Sequence, residues 1–233
     1  MVIRSLVKIY EMPKLRNPVL VEGLPGIGLV ANLAAYHLIK TLDSRRVCDI
    51  RSPYFKPLSV AGRDGAVKYP VITLYYAYTS PEAEGDLLIL YGNTQPITFT
   101  GQNELAETVL DLASKLGCRT VITLGGFSTP TPSEPPRVYY AANDPDVVPK
   151  LDEMGLVKLS GRVYGAAGVL VGFAKLRGMR GICLLAEVKG VQLSPGSARR
   201  ILEVLTRLLS LDIDLTGIES HLAYAEENVL PFS

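Results

Sequence analysis

The chain has 233 residues, 48% hydrophobic and 20% charged, which is enough to bury a sizeable core in one large domain or two small ones. Its 24 basic and 23 acidic residues leave a formal net charge of +1, so it carries no electrostatic footprint for nucleic acid or an anionic membrane surface. Cys48, Cys118 and Cys183 are odd in number, far apart and set beside strand-like apolar residues; they read as buried thiols of a reducing cytoplasm rather than a disulfide framework.

Taken in chain order, "MVIRSLVKIYEMP" lacks the apolar core and small-residue cleavage site of an export signal. Pro18 to Glu22 is a short apolar strand, and Gly28 to Lys40 is helical, with Leu29, Leu33, Tyr36 and Leu38 or Ile39 toward the core. The uncharged interval between Glu22 and Lys40 contains Gly23, Pro25, Gly26, Gly28, Asn32 and His37, which marks it as loop plus buried helix rather than a membrane span. "RRVCDIRS" is a strand, "PLSVAGRDGAVKYP" a hairpin turning at Arg63-Asp64-Gly65, and "VITLYYAYTS" a strand that sends Tyr76 and Tyr78 to one face and Tyr75 to the other. "DLLILYGN" is short and apolar throughout, as a strand buried on both faces should be.

From Thr100 the pattern alternates helix and strand. Thr100 is placed to cap a helix carrying Leu105, Val109, Leu112, Ala113 and Leu116, and Gly117 to end it. "RTVITLGGF" is a strand running into a double-glycine turn, "VYYAAND" another strand, and Asp144-Pro145 opens a short helix. "GAAGVLVGFAKLRG" is an apolar helix for which Gly161, Gly165, Gly168 and Gly172 suggest close packing on a neighbour, and "GICLLAEV" is a buried strand. The last helix starts at Ser194 and Pro195 and carries an apolar stripe of Ala198, Ile201, Leu202, Leu205, Leu208 and Leu209. Its polar face bears Arg199, Arg200, Glu203 and Arg207, with Glu203 and Arg207 spaced to pair. With no repeat or linker, the economical reading is one α/β domain with a mixed sheet over residues 1–220, followed by a tail over residues 221–233.

Gly26, Gly28 and Ala31 spell the Gly-x-Gly-x-x-Gly/Ala pattern of a dinucleotide turn, and Asp49 lies about where the ribose-binding acid would follow. Gly23, Leu24 and Pro25 nevertheless hold the strand away from Gly26, and hairpins rather than helix-strand alternation follow Asp49 up to Tyr91. The preferred reading is a tight strand-to-helix turn with close packing, in which alanine at Gly26 or at Gly28 lowers stability. Gly125 and Gly126 pose the same choice between ligand loop and structural loop.

Other chemistry finds little footing. Glu104, Glu107 and Asp111 share the polar face of an amphipathic helix; two His residues, His37 and His221, and three scattered Cys form no metal-ligand spacing. Ser128 sits at a strand end without a Gly-x-Ser-x-Gly elbow or an evident activating base. No cofactor, metal or catalytic constellation is assigned.

"VEGLPGIGLVANLAAYHLI", "GGFSTP", "GLVKLSGRVYGAAGVLVGFAKLRGMRGICLLAEVKG" and "SPGSARRILEVLTRLLSLDIDL", in this order over about residues 15 to 220, resemble the proteasome assembly chaperone family, type two, in its archaeal branch. The resemblance implies a three-layer α/β/α domain related to nucleoside phosphorylases, a homo-oligomer of trimer to pentamer size, and an ATP-independent role in protein assembly with proteasome α subunits as partners. Relatives often carry a Gly-Glu-Thr-Pro-Gly-like turn, which this chain matches only at Glu187 and Gly190. Members of the branch have also been labelled predicted ATP-grasp enzymes, so the alternative is a nucleotide- or nucleoside-binding enzyme using the glycine loops. Relatives that dock on the proteasome α-ring end in a hydrophobic residue, Tyr and any residue; here Leu230 precedes Pro231, Phe232 and Ser233, with the ring in place and the phenolic hydroxyl gone. The tail is thus a docking element, or Leu230 and Phe232 pack back on the protein.

Overall fold

The protein is described by a computed structural model covering residues 4–62 and 65–232; the expected hairpin tip at Arg63 and Asp64, and Ser233, lie outside the described residues. Strands β1 (Leu6–Ile9) and β2 (Val19–Gly23) precede helix α1 (Val30–Thr41). Then come β3 (Arg45–Arg51), a small hairpin of β4 (Val60–Ala61) and β5 (Val67–Lys68), β6 (Ile72–Ala77) and β7 (Leu87–Gly92). Next are α2 (Phe99–Lys115), β8 (Thr120–Thr129), β9 (Val138–Ala142), α3 (Val148–Glu153) and β10 (Val157–Lys158). The chain ends with α4 (Gly165–Leu176), β11 (Arg180–Lys189), α5 (Pro195–Leu209) and α6 (Leu222–Asn228).

Nine strands form one mixed sheet in the order β1-β3-β6-β7-β2-β8-β11-β9-β10. The central four, β7, β2, β8 and β11, run parallel, and helices cover both sides of them, which is why their sequences are apolar without a polar face. Val19 and Val21 of β2 and Leu87 and Ile89 of β7 join one core with α1 and α5; Leu20, Leu88 and Leu90 join the other with α2 and α4. The three-layer α/β/α architecture and mixed sheet follow the expectation. No described helix is long and apolar enough to cross a membrane.

Several local expectations are corrected. Thr98, not Thr100, caps α2, its Oγ1 accepting from Gly101 N at 3.1 Å. β8 does not turn at Gly125-Gly126 but runs on to Thr129 beside β11, Gly125 pairing with Leu185 and Gly126 with Ala186. Gly168 meets the Val163 carbonyl of the preceding loop, whereas Gly161 and Gly172 face open space, so the α4 glycines are not a helix-packing stripe. Ser194 occupies the cap position of α5 without a side-chain cap bond; its Oγ lies 2.7 Å from Ser197 Oγ. Glu203 pairs with Arg200 at 2.9 Å and Arg199 at 3.6 Å. Other expectations hold: Tyr76 and Tyr78 share a face as edge-on neighbours, with ring centroids 5.5 Å apart. The three cysteines are buried and free.

Candidate functional site

The four parallel strands end on one side of the sheet, the usual address of a ligand or partner site in an open α/β domain. Three connections gather there: residues 24–29 after β2, residues 93–98 after β7 and residues 190–194 after β11. They surround a cavity of about 430 Å³ that brings together Gly26, Gly28, Gln95, Leu193, Leu230 and Phe232. A second cavity of about 450 Å³ shares Pro25, Gly26, Ile27 and Gln95 with the first and adds Gly125, Gly126, Phe127, Ser128 and the start of α4. Four of the expected loop glycines and the C-terminal residues thus converge.

The reason for the glycines is backbone proximity. Gly28 has φ +65, and a Cβ there would sit 2.9 Å from Val188 Cγ1 and 3.0 Å from Gln192 O; its own carbonyl accepts from Ser194 N at 3.0 Å. Leu29 is also left-handed, at φ 50. A Cβ on Gly126 would run into the Ile27 carbonyl oxygen, and one on Gly125 would lie 2.6 Å from Leu185 Cδ2. The β2–α1 loop is therefore wedged against β8 and β11. Gly26 is the exception: its φ of −161 is ordinary extended backbone and nothing lies within 4 Å of a built Cβ, so the expected loss of stability on Gly26→Ala is corrected to a near-neutral change.

The dinucleotide reading fails on topology. β6 and β7 stand between β3, which bears Asp49, and β2, a separation of about 14 Å at some 4.8 Å per strand. Asp49 instead receives Arg46, Tyr10 Oη at 2.8 Å and Thr73 Oγ1 at 2.7 Å; burial works to raise its pKa, but these three donors outweigh it and hold the carboxyl below its ordinary range. Glu104 binds Ser5, while Glu107 and Asp111 both hold Arg177, so the helix acids are engaged in structure. Among the described residues no group of three His, Cys, Asp or Glu can hold a metal ion.

Glu187, near the end of β11, lines neither cavity but pairs in register with Phe127, which lines the second. Its carboxylate accepts from Ser133 N at 2.7 Å, Arg137 N at 3.2 Å and Tyr139 Oη at 3.0 Å, pinning the Pro-rich segment before β9. Burial opposes ionisation, but those bonds lower its pKa overall. Gly190 follows in the left-handed region, φ +59.

Of the C-terminal residues described, Leu230–Phe232 fold back as a turn. α6 is followed by a 3₁₀ turn, Leu230–Phe232, in which Phe232 is 0% exposed and its carbonyl lies 3.4 Å from Thr94 Oγ1. Val229 and Phe232 turn inward because they are apolar and the mouth between the three loops is lined by Pro96, Leu29 and Leu193. Upstream, His37 Nδ1 lies 3.1 Å from His221 Nε2, and His37 Nε2 lies 2.7 Å from the Asp214 carbonyl; Tyr224 stacks on Tyr36 at 4.3 Å. An apolar rim remains in solvent: Ile27, Ile97, Val191 and Leu230 are 40, 61, 77 and 40% exposed.

Sequence reasoning passed over Glu22. It is 2% exposed, accepts from Leu24 N at 2.9 Å through Oε1, and has no partner for Oε2 among the described residues. Burial pushes its pKa up to about 8, opposed by backbone N–H groups. The signal was an acid inside an otherwise uncharged strand, "VLVEG".

This fold and loop arrangement define an α/β protein whose strand-to-helix turn is wedged against β8 and β11. The PAC2 family model matches residues 20–230, and the chain belongs to that family, a non-enzymatic one. It is 33% identical over 214 residues to the protein MJ1210 of Methanocaldococcus jannaschii, covering 91% of this chain and 81% of the relative. Among solved structures it superposes on Pyrococcus furiosus PbaB, described as an archaeal proteasome activator, with TM-score 0.86, 34% identity and 96% coverage of each chain. Pyrococcus furiosus PbaA, described as an archaeal homolog of proteasome-assembly chaperone, shares the fold with TM-score 0.77 and 24% identity, covering 96% of this chain and 93% of PbaA.

Proposed function

We propose that the protein assists assembly or activation of the proteasome in the cytoplasm, as a homo-oligomer of three to five subunits, with no ATP requirement and no chemical step. The observation that carries this reading is the match to PbaB, 34% identical across 96% of both chains. The exposed rim of Ile27, Ile97, Val191 and Leu230 supports it, since apolar side chains gathered on one edge favour protein contact. The C-terminal turn borders that rim, and proteasome α subunits are the proposed partner of Pro231-Phe232-Ser233. Docking requires Phe232 to leave its seat, and the absent phenolic hydroxyl costs about 1 kcal/mol per copy. Several tails on one oligomer offset that weakness through effective concentration.

The test measures binding of the full chain to a proteasome α-ring of the same source, beside a chain lacking residues 231–233 and a Phe232→Tyr variant. Truncation is expected to weaken binding at least tenfold and Phe232→Tyr to tighten it. Equal binding by the truncated chain would remove the tail from the docking mechanism. Light scattering at tens of micromolar checks the oligomer; a monomer contradicts the reading.

A further inference from the structure

The second cavity has a polar floor and an apolar wall, which together point to a ligand. Glu22 faces the α2/α4 side of the sheet, alternating with Val21 and Gly23, and lines the cavity. Because Oε1 already accepts the Leu24 N–H, a proton held by the neutral acid sits on Oε2, a buried donor with no acceptor among the described residues. An orphan donor in a 98%-buried position costs free energy unless something fills the space opposite it.

The same space is lined by Gly165, Ala166 and Ala167, the first turn of the 12-residue helix α4. N–H groups of a first turn have no partner within their helix, and here Ala166 N makes only a long contact, 3.4 Å, with Gln95 Oε1. Arg162, exposed to solvent, lines the cavity as well. All three features supply donors or positive potential, so an ammonium group would face the positive end of α4 and a guanidinium, whereas an oxyanion would satisfy them together. The remaining wall includes Leu24, Ala31, Leu124, Phe127 and Leu185, and the volume of about 450 Å³ lies within the small-molecule range.

We propose that this cavity binds a small carboxylate with an apolar body, its oxygens received by the Glu22 carboxyl, Arg162 and the first turn of α4. Recognition then depends on Glu22 staying protonated. Around it, β7 places Leu90 and β8 places Thr123 directly alongside, neither of which ionises. Beyond Thr123, β11 places Cys183, a thiol pushed by burial up to about 11. In the loop before α4 the exposed Arg162 and Tyr164 line the cavity. Of the two buried groups Glu22 and Cys183, Glu22, at about 8, is the one that changes charge first as the solution is made alkaline.

Calorimetric titration of the full chain with hexanoate, hexylamine and inorganic phosphate at pH 6.5 and pH 9.5 tests this. Hexanoate is expected to bind at pH 6.5 and about thirtyfold more weakly at pH 9.5, from a tenfold loss per pH unit above the Glu22 value. Glu22→Gln keeps a donor in place of the acid O–H and should bind hexanoate equally at both pH values, while Arg162→Gln should bind it several-fold more weakly. Preference for hexylamine, phosphate binding as tight as hexanoate, a hexanoate affinity unchanged between the two pH values, or no heat at millimolar hexanoate each overturns the proposal. The wild-type titrations decide even if a variant fails to fold.

Discussion

The glycine loop and the C-terminal turn line the same cavity but are held there by different means. The loop is fixed by backbone: Gly28 takes a positive φ against Val188, Ile27 O abuts Gly126, and Gly28 O receives Ser194 N. The C-terminal turn is fixed mainly by a side chain, Phe232, with α6 tied to α1 through an imidazole pair and a tyrosine stack. A backbone wedge cannot move without disturbing β8 and β11, whereas a seated aromatic can leave while the sheet stays intact. The first is architecture, and the second is the element that the docking proposal requires to be released.

The sharpest way to separate them is pH, because the two regions respond with opposite sign. Beside the glycine loop, Glu22 has a folded pKa of about 8 against 4.5 unfolded, so the native chain keeps a proton that the unfolded chain has released. Stability therefore falls as pH rises from the ordinary carboxyl range to about 8 and then levels, at about 1.4 kcal/mol per pH unit if Glu22 acted alone. Denaturant unfolding between pH 5 and 8 should show this slope, and Glu22→Gln should flatten it. At the other region, burial and then the charge on His37 lower the pKa of His221. Its contribution is complete above the unfolded value of about 6.5 and is lost as pH falls through the lower folded value. Acid should therefore loosen α6 and the final turn while α1 and the sheet persist, read by hydrogen exchange at pH 5 and 7.

Substitutions sharpen the same contrast on a smaller scale. Gly28→Ala and Gly126→Ala should each cost about 2 to 4 kcal/mol of global stability, through a strained φ or an overpacked contact. Gly26→Ala, with space around it, should stay within about 0.5 kcal/mol. Equal losses at all three positions would break the account of the wedge.

The sequence made the layers legible and the contacts between them largely not. β7 and β11 announced themselves as short apolar runs, and α5 by its stripe, because burial on one or two faces leaves a local signature. Gly125-Gly126 looked like a turn because glycine often marks one; the cause is Leu185 beside Gly125 and, at Gly126, Ile27, about a hundred residues earlier in the chain, and no local pattern reports either. Thr98 and Thr100 are equivalent cap candidates until the Gly101 amide chooses between them. Phe232 followed too short an apolar run to betray its seat, and Glu22 looked like a strand end because an all-buried strand has no periodicity to flag an intruding acid.

The most direct test of this account compares hydrogen exchange of the full chain alone and with excess proteasome α-ring. Alone, Val229 and Phe232 N–H, which bond to Ala225 O and Val229 O at 2.9 Å each, should be slowed. With the ring, the Val229 and Phe232 N–H should lose that protection as the C-terminal turn opens, while α1 and β8 stay as protected as before. Unchanged protection of the Val229 and Phe232 N–H in the bound state, or loss of protection in α1 and β8, would contradict a releasable turn resting on a fixed wedge.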